Sequence, residues 1–150
     1  MTDLRRLFSD IVRFETELWG AIDARLRDEF DLPLARFEVM LLVDQLPVCR
    51  VFDIASELVI TVGGTSKLVD RIEAEGHCRR RPNPADRRSS IIELTASGKR
   101  LLAKAAAVFD SELQALLGEA VTERSLQSFA ATLSMLRASA QTAAETSRVA

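Results

Sequence analysis

The chain has a single histidine and two cysteines, and no Cys-x-x-Cys pair, so it offers little that could hold a metal. A structural zinc site is not expected, and no cofactor is implied. No apolar run reaches the ~18 residues that a membrane span needs. The opening residues, MTDLRRLFSD, lack the apolar core of a signal peptide. There is no Gly-rich phosphate loop, internal repeat, linker or low-complexity tract. With one histidine and scattered carboxylates, no catalytic constellation stands out, and an enzyme is the least favoured class. The composition that is left, 47% hydrophobic with a net charge of −2, suits a cytoplasmic globular protein. Its 150 residues suffice for one domain with a real core.

The small net charge hides an asymmetry. Residues 61–100 carry nine basic residues against five acidic ones, a net +4, while the rest of the chain carries eleven against seventeen, a net −6. A basic block in an acidic frame points to a polyanionic partner. Its arginines concentrate in RRRPNPADRR, residues 79–88.

Apolar periodicity predicts a long helix over residues 3–29, through Leu4, Leu7, Phe8, Ile11, Phe14, Leu18, Ile22 and Leu26. That stripe is wider than a small core can use. Pro33 interrupts, and a second helix over 34–45 carries Leu34, Phe37 and Leu41 until Pro47. VFDIASEL, residues 51–58, reads as a short helix buried through Ile54, Ala55 and Leu58. Thr61 is placed to cap a further helix over 62–75, which Gly76 stops. Its inner face is expected to be Val62, Leu68, Val69 and Ile72, and its outer face Gly63, Gly64, Ser66, Lys67 and Arg71. Residues 77–81 and 89–94 then read as two strands around an arginine-tipped turn. Thr95 caps a helix over 96–117, and a last helix runs from Thr122 to the mid 140s, leaving ETSRVA to fray.

The predicted fold is mainly α with a small β-hairpin. A short helix, a tight turn and a capped helix with a polar outer face make a helix-turn-helix, and the hairpin adds a wing. The outer face of residues 61–71 would fit a major groove, and Arg87 and Arg88 would reach a flanking minor groove or phosphates.

At these residues the chain resembles the MarR-type winged-helix transcription regulators, over nearly all its length. TSKLVDRIEAEGHCRR is similar to that family's recognition helix and first wing strand. NPADRRSSIIELTASGKRLL is similar to its wing and next helix, with an Asp-x-Arg element at Asp86 and Arg88 and a Leu-Thr-x-x-Gly element at Leu94, Thr95 and Gly98. The resemblance implies a winged lobe over about residues 34–100, flanked by dimerisation helices over about 3–29 and 96–146. It implies a homodimer on a roughly palindromic double-stranded operator, usually repressing and released by a small effector. It places Thr65, Ser66 and Lys67 in the major groove, Arg88 in the minor groove and Asp86 as the buttress of that arginine. An effector crevice near Trp19, with Arg13, Phe14, Phe37 and Met40, would suit an aromatic or anionic compound.

Several residues carry a second reading. Arg71 is equally suited to pairing with Asp70, Glu75 or another helix. Arg79, Arg80 and Arg81 alternate sides in a strand, so at most some of them face DNA. Gly63 and Gly64 are either tolerated fraying in the first turn or sites of close backbone approach to DNA. Some relatives sense oxidants through a cysteine in the first helix; this first helix has none, so Cys49 and Cys78 read as structural or incidental. His77 reads as structural too. The alternative functions are a redox-sensing regulator and a winged module that binds an acidic protein.

Overall fold

The structure, a computed structural model, describes residues 1–149. These fall into two compact units, Met1–Phe109 and the remainder from Asp110.

The first unit opens with helix α1 (Leu4–Phe30), which the Asp3 carboxylate caps by accepting the N–H groups of Arg5 and Arg6 at 3.0 and 3.2 Å. Of its long apolar stripe only Ile22 and Leu26 are buried; Leu4, Leu7, Phe8, Ile11 and Phe14 stay exposed. Helix α2 (Leu34–Gln45) starts after Pro33, and the Asp23 carboxylate of α1 accepts the Leu34 N–H at 2.8 Å. Phe37 and Met40 are fully buried, with Leu32, Ile54, Val69 and Ile92. Phe37 also packs against Phe109 in a tilted pair, with 4.8 Å between ring centroids.

Helix α3 (Val51–Leu58) begins where Asp53 accepts both the backbone N–H and the guanidinium of Arg50. It ends on Val59, which is held at φ 55°. The left-handed region is costly for a β-branched residue, and Val59 is exposed, so little burial offsets that cost. Val59→Gly is therefore expected to stabilise the protein by about 0.5–1 kcal/mol. A urea midpoint at or below that of the parent would show that this turn is not strained.

Helix α4 (Val62–Ala74) is capped by Thr61, whose hydroxyl accepts the Gly64 N–H at 3.0 Å, and its chain turns at Gly76 with φ 78°. The expected inner face needs one correction. Val62 is exposed, and Thr65 takes the inner place with no exposed surface. Thr65, Val69 and Ile72 share the buried side, spaced four and three apart. Val62 sits in the first turn, beyond the edge of the core.

Strands β1 (Cys78–Pro82) and β2 (Ser90–Leu94) pair antiparallel, with Cys78 opposite Leu94 and Arg79 opposite Glu93. The Cys49 carbonyl accepts the Ile92 N–H at 2.8 Å along the free edge of β2. Helix α5 (Ala96–Leu113) follows, continuing into the second unit.

In that second unit residues Gln114–Gly118 form a π-helical turn before helix α6 (Glu123–Val149). Among the described side chains of α6 none is buried, and Phe129, Leu133 and Leu136 are exposed. The helix runs past the expected mid-140s end, through most of the segment expected to fray. After Gly118 the chain has neither glycine nor proline to stop it. Ala150, the last residue of that segment, lies outside the described residues.

Candidate nucleic-acid interface

Helices α3 and α4, with the tight turn at Val59–Thr61, form the helix-turn-helix, and the β1–β2 hairpin is the wing. Lys67 and Arg71 lie on the exposed side of α4 and have no ion pair among the described residues. The sequence leaves Arg71 equally open to pairing within the protein. The carboxylates it would need are taken by others: Glu75 by Arg36 of α2, Asp70 by Arg80. Ser66 is half-buried.

Thr65 is placed differently from the sequence expectation. It is buried, and its hydroxyl donates to the Thr61 carbonyl at 2.8 Å, so it presents nothing to a groove. The two glycines also differ. Gly63 has open space where a Cβ would be, whereas a Cβ on Gly64 would lie 3.0 Å from the Thr61 hydroxyl. Gly64 thus makes room for the cap, and Gly63 leaves a gap in the outward surface.

The arginine run divides by strand alternation. Arg79 and Arg81 reach the same carboxylate, Glu93, across the hairpin. These two guanidinium groups hold the Glu93 carboxyl below its ordinary range, the hydrogen bond from Arg81 contributing most. Arg80 points the other way, to Asp70 and Glu73. All three arginines are thus engaged in ion pairs within the protein, although Arg79 and Arg81 share one carboxylate and keep a net positive charge between them. Arg87 and Arg88, at the exposed tip, have no ion pair among the described residues.

The tip is held by its own backbone. Asn83, one of the buried polar residues, accepts the Ala85 N–H at 3.1 Å and donates to the Ser89 hydroxyl at 3.0 Å. The Asp86 carboxylate accepts the backbone N–H of Arg88 at 3.0 Å. The expected role for Asp86 is to hold the guanidinium itself. A carboxylate two residues before an N–H closes an Asx turn instead, which fixes the peptide and leaves the guanidinium free. Asn83 escapes the sequence reading; its place between two prolines at the head of the turn is the available signal.

The expected five-residue effector crevice is not assembled in this chain. Phe37 and Met40 are core residues with no exposed surface, while Arg13, Phe14 and Trp19 are exposed on α1. The cysteines are buried, and burial pushes both thiols up to about 11. At neutral pH they are protonated and poorly reactive. The His77 ring nitrogen lies 3.3 Å from the Ser97 hydroxyl, at the junction of the wing with α5.

Residues 32–90, which span the helix-turn-helix, β1 and the wing turn as far as the start of β2, match the sequence model of the MarR family. The uncharacterised HTH-type transcriptional regulator YfiV of Bacillus subtilis (strain 168) is 29% identical over 73 residues, a match covering 49% of this chain and 46% of that protein. The chain thus spans less than half the length of that relative. The transcriptional regulator HosA of Escherichia coli O111:H- is 31% identical over 103 residues, covering 68% of this chain and 76% of that protein. Among solved structures, Sco3205 of Streptomyces coelicolor, a MarR family transcriptional regulator crystallised with DNA, superposes with a TM-score of 0.83 at 20% identity. That superposition covers 89% of this chain and 84% of that one. With the family's pattern falling on the helix-turn-helix and wing, and a regulator matched over most of its length, this chain belongs to the MarR family.

Proposed function

We propose that this protein is a sequence-specific transcription regulator, a repressor that binds a pseudo-palindromic double-stranded operator as a homodimer in the cytoplasm. The observation that carries this reading is the distribution of charge. In a chain of net charge −2, Lys67 and Arg71 on α4 and Arg87 and Arg88 on the wing are exposed and have no ion pair among the described residues, while the arginines between them are engaged in internal ion pairs. Cations left free on a recognition helix and a wing tip are what phosphates and base edges require. Membership of the MarR family, and a fold shared with a regulator crystallised with DNA, support the same reading.

The dimer rests on the apolar side chains that each unit leaves in water. Leu4, Leu7, Phe8 and Ile11 do so on α1, and Phe129, Leu133 and Leu136 on α6. Contiguous apolar surface of this kind marks an association face. A twofold dimer reads two half-sites in opposite orientation, hence the palindrome. Release by a small effector belongs to this proposal, and on it the protein is a binding device and not an enzyme. Oxidant sensing is disfavoured by the burial of both cysteines.

The test is a titration of the purified protein against the DNA upstream of its own gene, at two salt concentrations with excess competitor. Binding that survives competitor is expected. Loss of all binding to competitor, together with capture of acidic proteins, would favour an interaction module instead. In the same assay Lys67→Ala is expected to weaken binding and to flatten the dependence of log K on log salt, by about 0.9 per phosphate that Lys67 neutralises. An unchanged slope would remove Lys67 from the phosphate contacts.

A further inference from the structure

Helix α4 is an odd recognition helix on its own charges. With its C-cap it carries Lys67 and Arg71 against Asp70, Glu73 and Glu75. The acidic side chains are taken up by arginines from elsewhere. Arg36 of α2 pairs with Glu75, and Arg80 of β1 takes the other two.

The Arg80 contacts are more than a surface ion pair. Its Nη1 donates to Glu73 Oε1 at 2.9 Å and its Nη2 to Asp70 Oδ1 at 2.7 Å. Its backbone N–H donates to the second Glu73 oxygen, Oε2, at 3.1 Å. Its side chain is 24% exposed. Asp70 and Glu73 are three apart and so share one side of the helix. The rigid fork of a guanidinium spans them where an ammonium would meet one at a time. Among the described residues this is the one ion-paired link between the wing and α4. Arg79 and Arg81, on the other side of β1, tie the hairpin only to itself.

We infer that Arg80 is a positioning residue for DNA binding: it clamps the wing to the recognition helix at Asp70 and Glu73, so that Lys67 and Arg88 meet one duplex together. This rests on the DNA-binding reading above. The free cations lie on two elements joined by a short turn. Without the clamp the hairpin stays packed at its base, where the Cys78 thiol meets the Val69 carbonyl of α4, but it loses the polar tie nearer its tip, and the wing contact must bear more of its own ordering cost on binding. A competing role is simpler: Arg80 would do no more than cancel two carboxylates that repel phosphate.

Two variants separate these roles, tested on a duplex selected from a random library by the wild-type protein. Arg80→Met removes the two guanidinium bonds, keeps the backbone N–H bond to Glu73, and leaves the carboxylates. Asp70→Ala/Glu73→Ala breaks the clamp and removes them. Positioning predicts that both bind the selected duplex about tenfold more weakly than wild type, and that Arg80→Lys recovers part of the loss. It also predicts a lower ratio of selected to random-duplex affinity in both, at a temperature where circular dichroism shows each folded. Binding by the double alanine variant at or above wild-type strength would overturn the inference and leave charge cancellation. A wild-type protein that selects no duplex would overturn the DNA-binding reading, and this inference with it.

Discussion

Gly98→Ala is expected to destabilise the protein by about 3 kcal/mol. The sign is opposite to what helix propensity gives. Gly98 lies in the first turn of α5, and alanine in a helix is normally favoured over glycine by roughly 1 kcal/mol. The local packing reverses this. A Cβ at Gly98 would stand 1.9 Å from the carbonyl oxygen of His77 and 2.8 Å from its carbon, both backbone atoms with no freedom to swing away. Thr95 makes the approach this close. Its N–H donates to that same His77 oxygen at 3.0 Å, and its hydroxyl donates to the Gly76 carbonyl at 2.6 Å and accepts the Gly98 N–H at 3.1 Å. Room for a methyl requires α5 to lift from the turn between α4 and β1, and these bonds go with it. Gly20, in α1, has nothing within 4 Å of where a Cβ would stand and serves as the control, with Gly20→Ala expected to be neutral or stabilising. Urea denaturation at one protein concentration measures both. A Gly98→Ala variant as stable as its parent would mean that α5 is not seated on this turn.

Arg88→Ala is expected to weaken binding to the operator by about 1–3 kcal/mol, with no loss of folding stability. Arg88 is exposed, and its removal breaks no ion pair among the described residues. Its peptide N–H is held by Asp86, and the loop around it by Asn83 and Ser89. The side chain is therefore presented from a fixed backbone with its guanidinium uncommitted, which lowers the ordering cost of inserting it into a narrow, electronegative minor groove. Arg88→Lys keeps the charge and is expected to recover only part of the loss, because an ammonium lacks the planar fork. Affinity measured at fixed salt decides the matter. Equal binding by wild type and Arg88→Ala would take the wing arginine out of the interface.

Much of this molecule is legible in order along the chain. Periodicity places α1 and α2, Thr61 and Gly76 bracket α4, and Thr95 marks the start of α5, because caps and turns are local chemistry. Strand alternation correctly implies that Arg79, Arg80 and Arg81 face opposite ways. The Leu-Thr-x-x-Gly element is legible as a pattern; the reason for its glycine is not, since the carbonyl it must clear belongs to His77, on the far side of the hairpin.

The sequence by itself determined the element order, the helix-turn-helix with its wing, and the basic block in an acidic chain. These depend on residues a few positions apart. The tertiary structure decided which of those residues are available. It buried Thr65 and exposed Val62, because the reach of the core, and not the helix period alone, settles which turn is covered. It withdrew Phe37 and Met40 into the core. It gave Asp86 to a backbone N–H, and it joined Arg80 to Asp70 and Glu73, leaving Lys67, Arg71, Arg87 and Arg88 as the cations of helix and wing without an ion pair among the described residues. Burial and ion pairing depend on which atoms the folded chain brings within a few ångströms, and that distance is not written in sequence spacing.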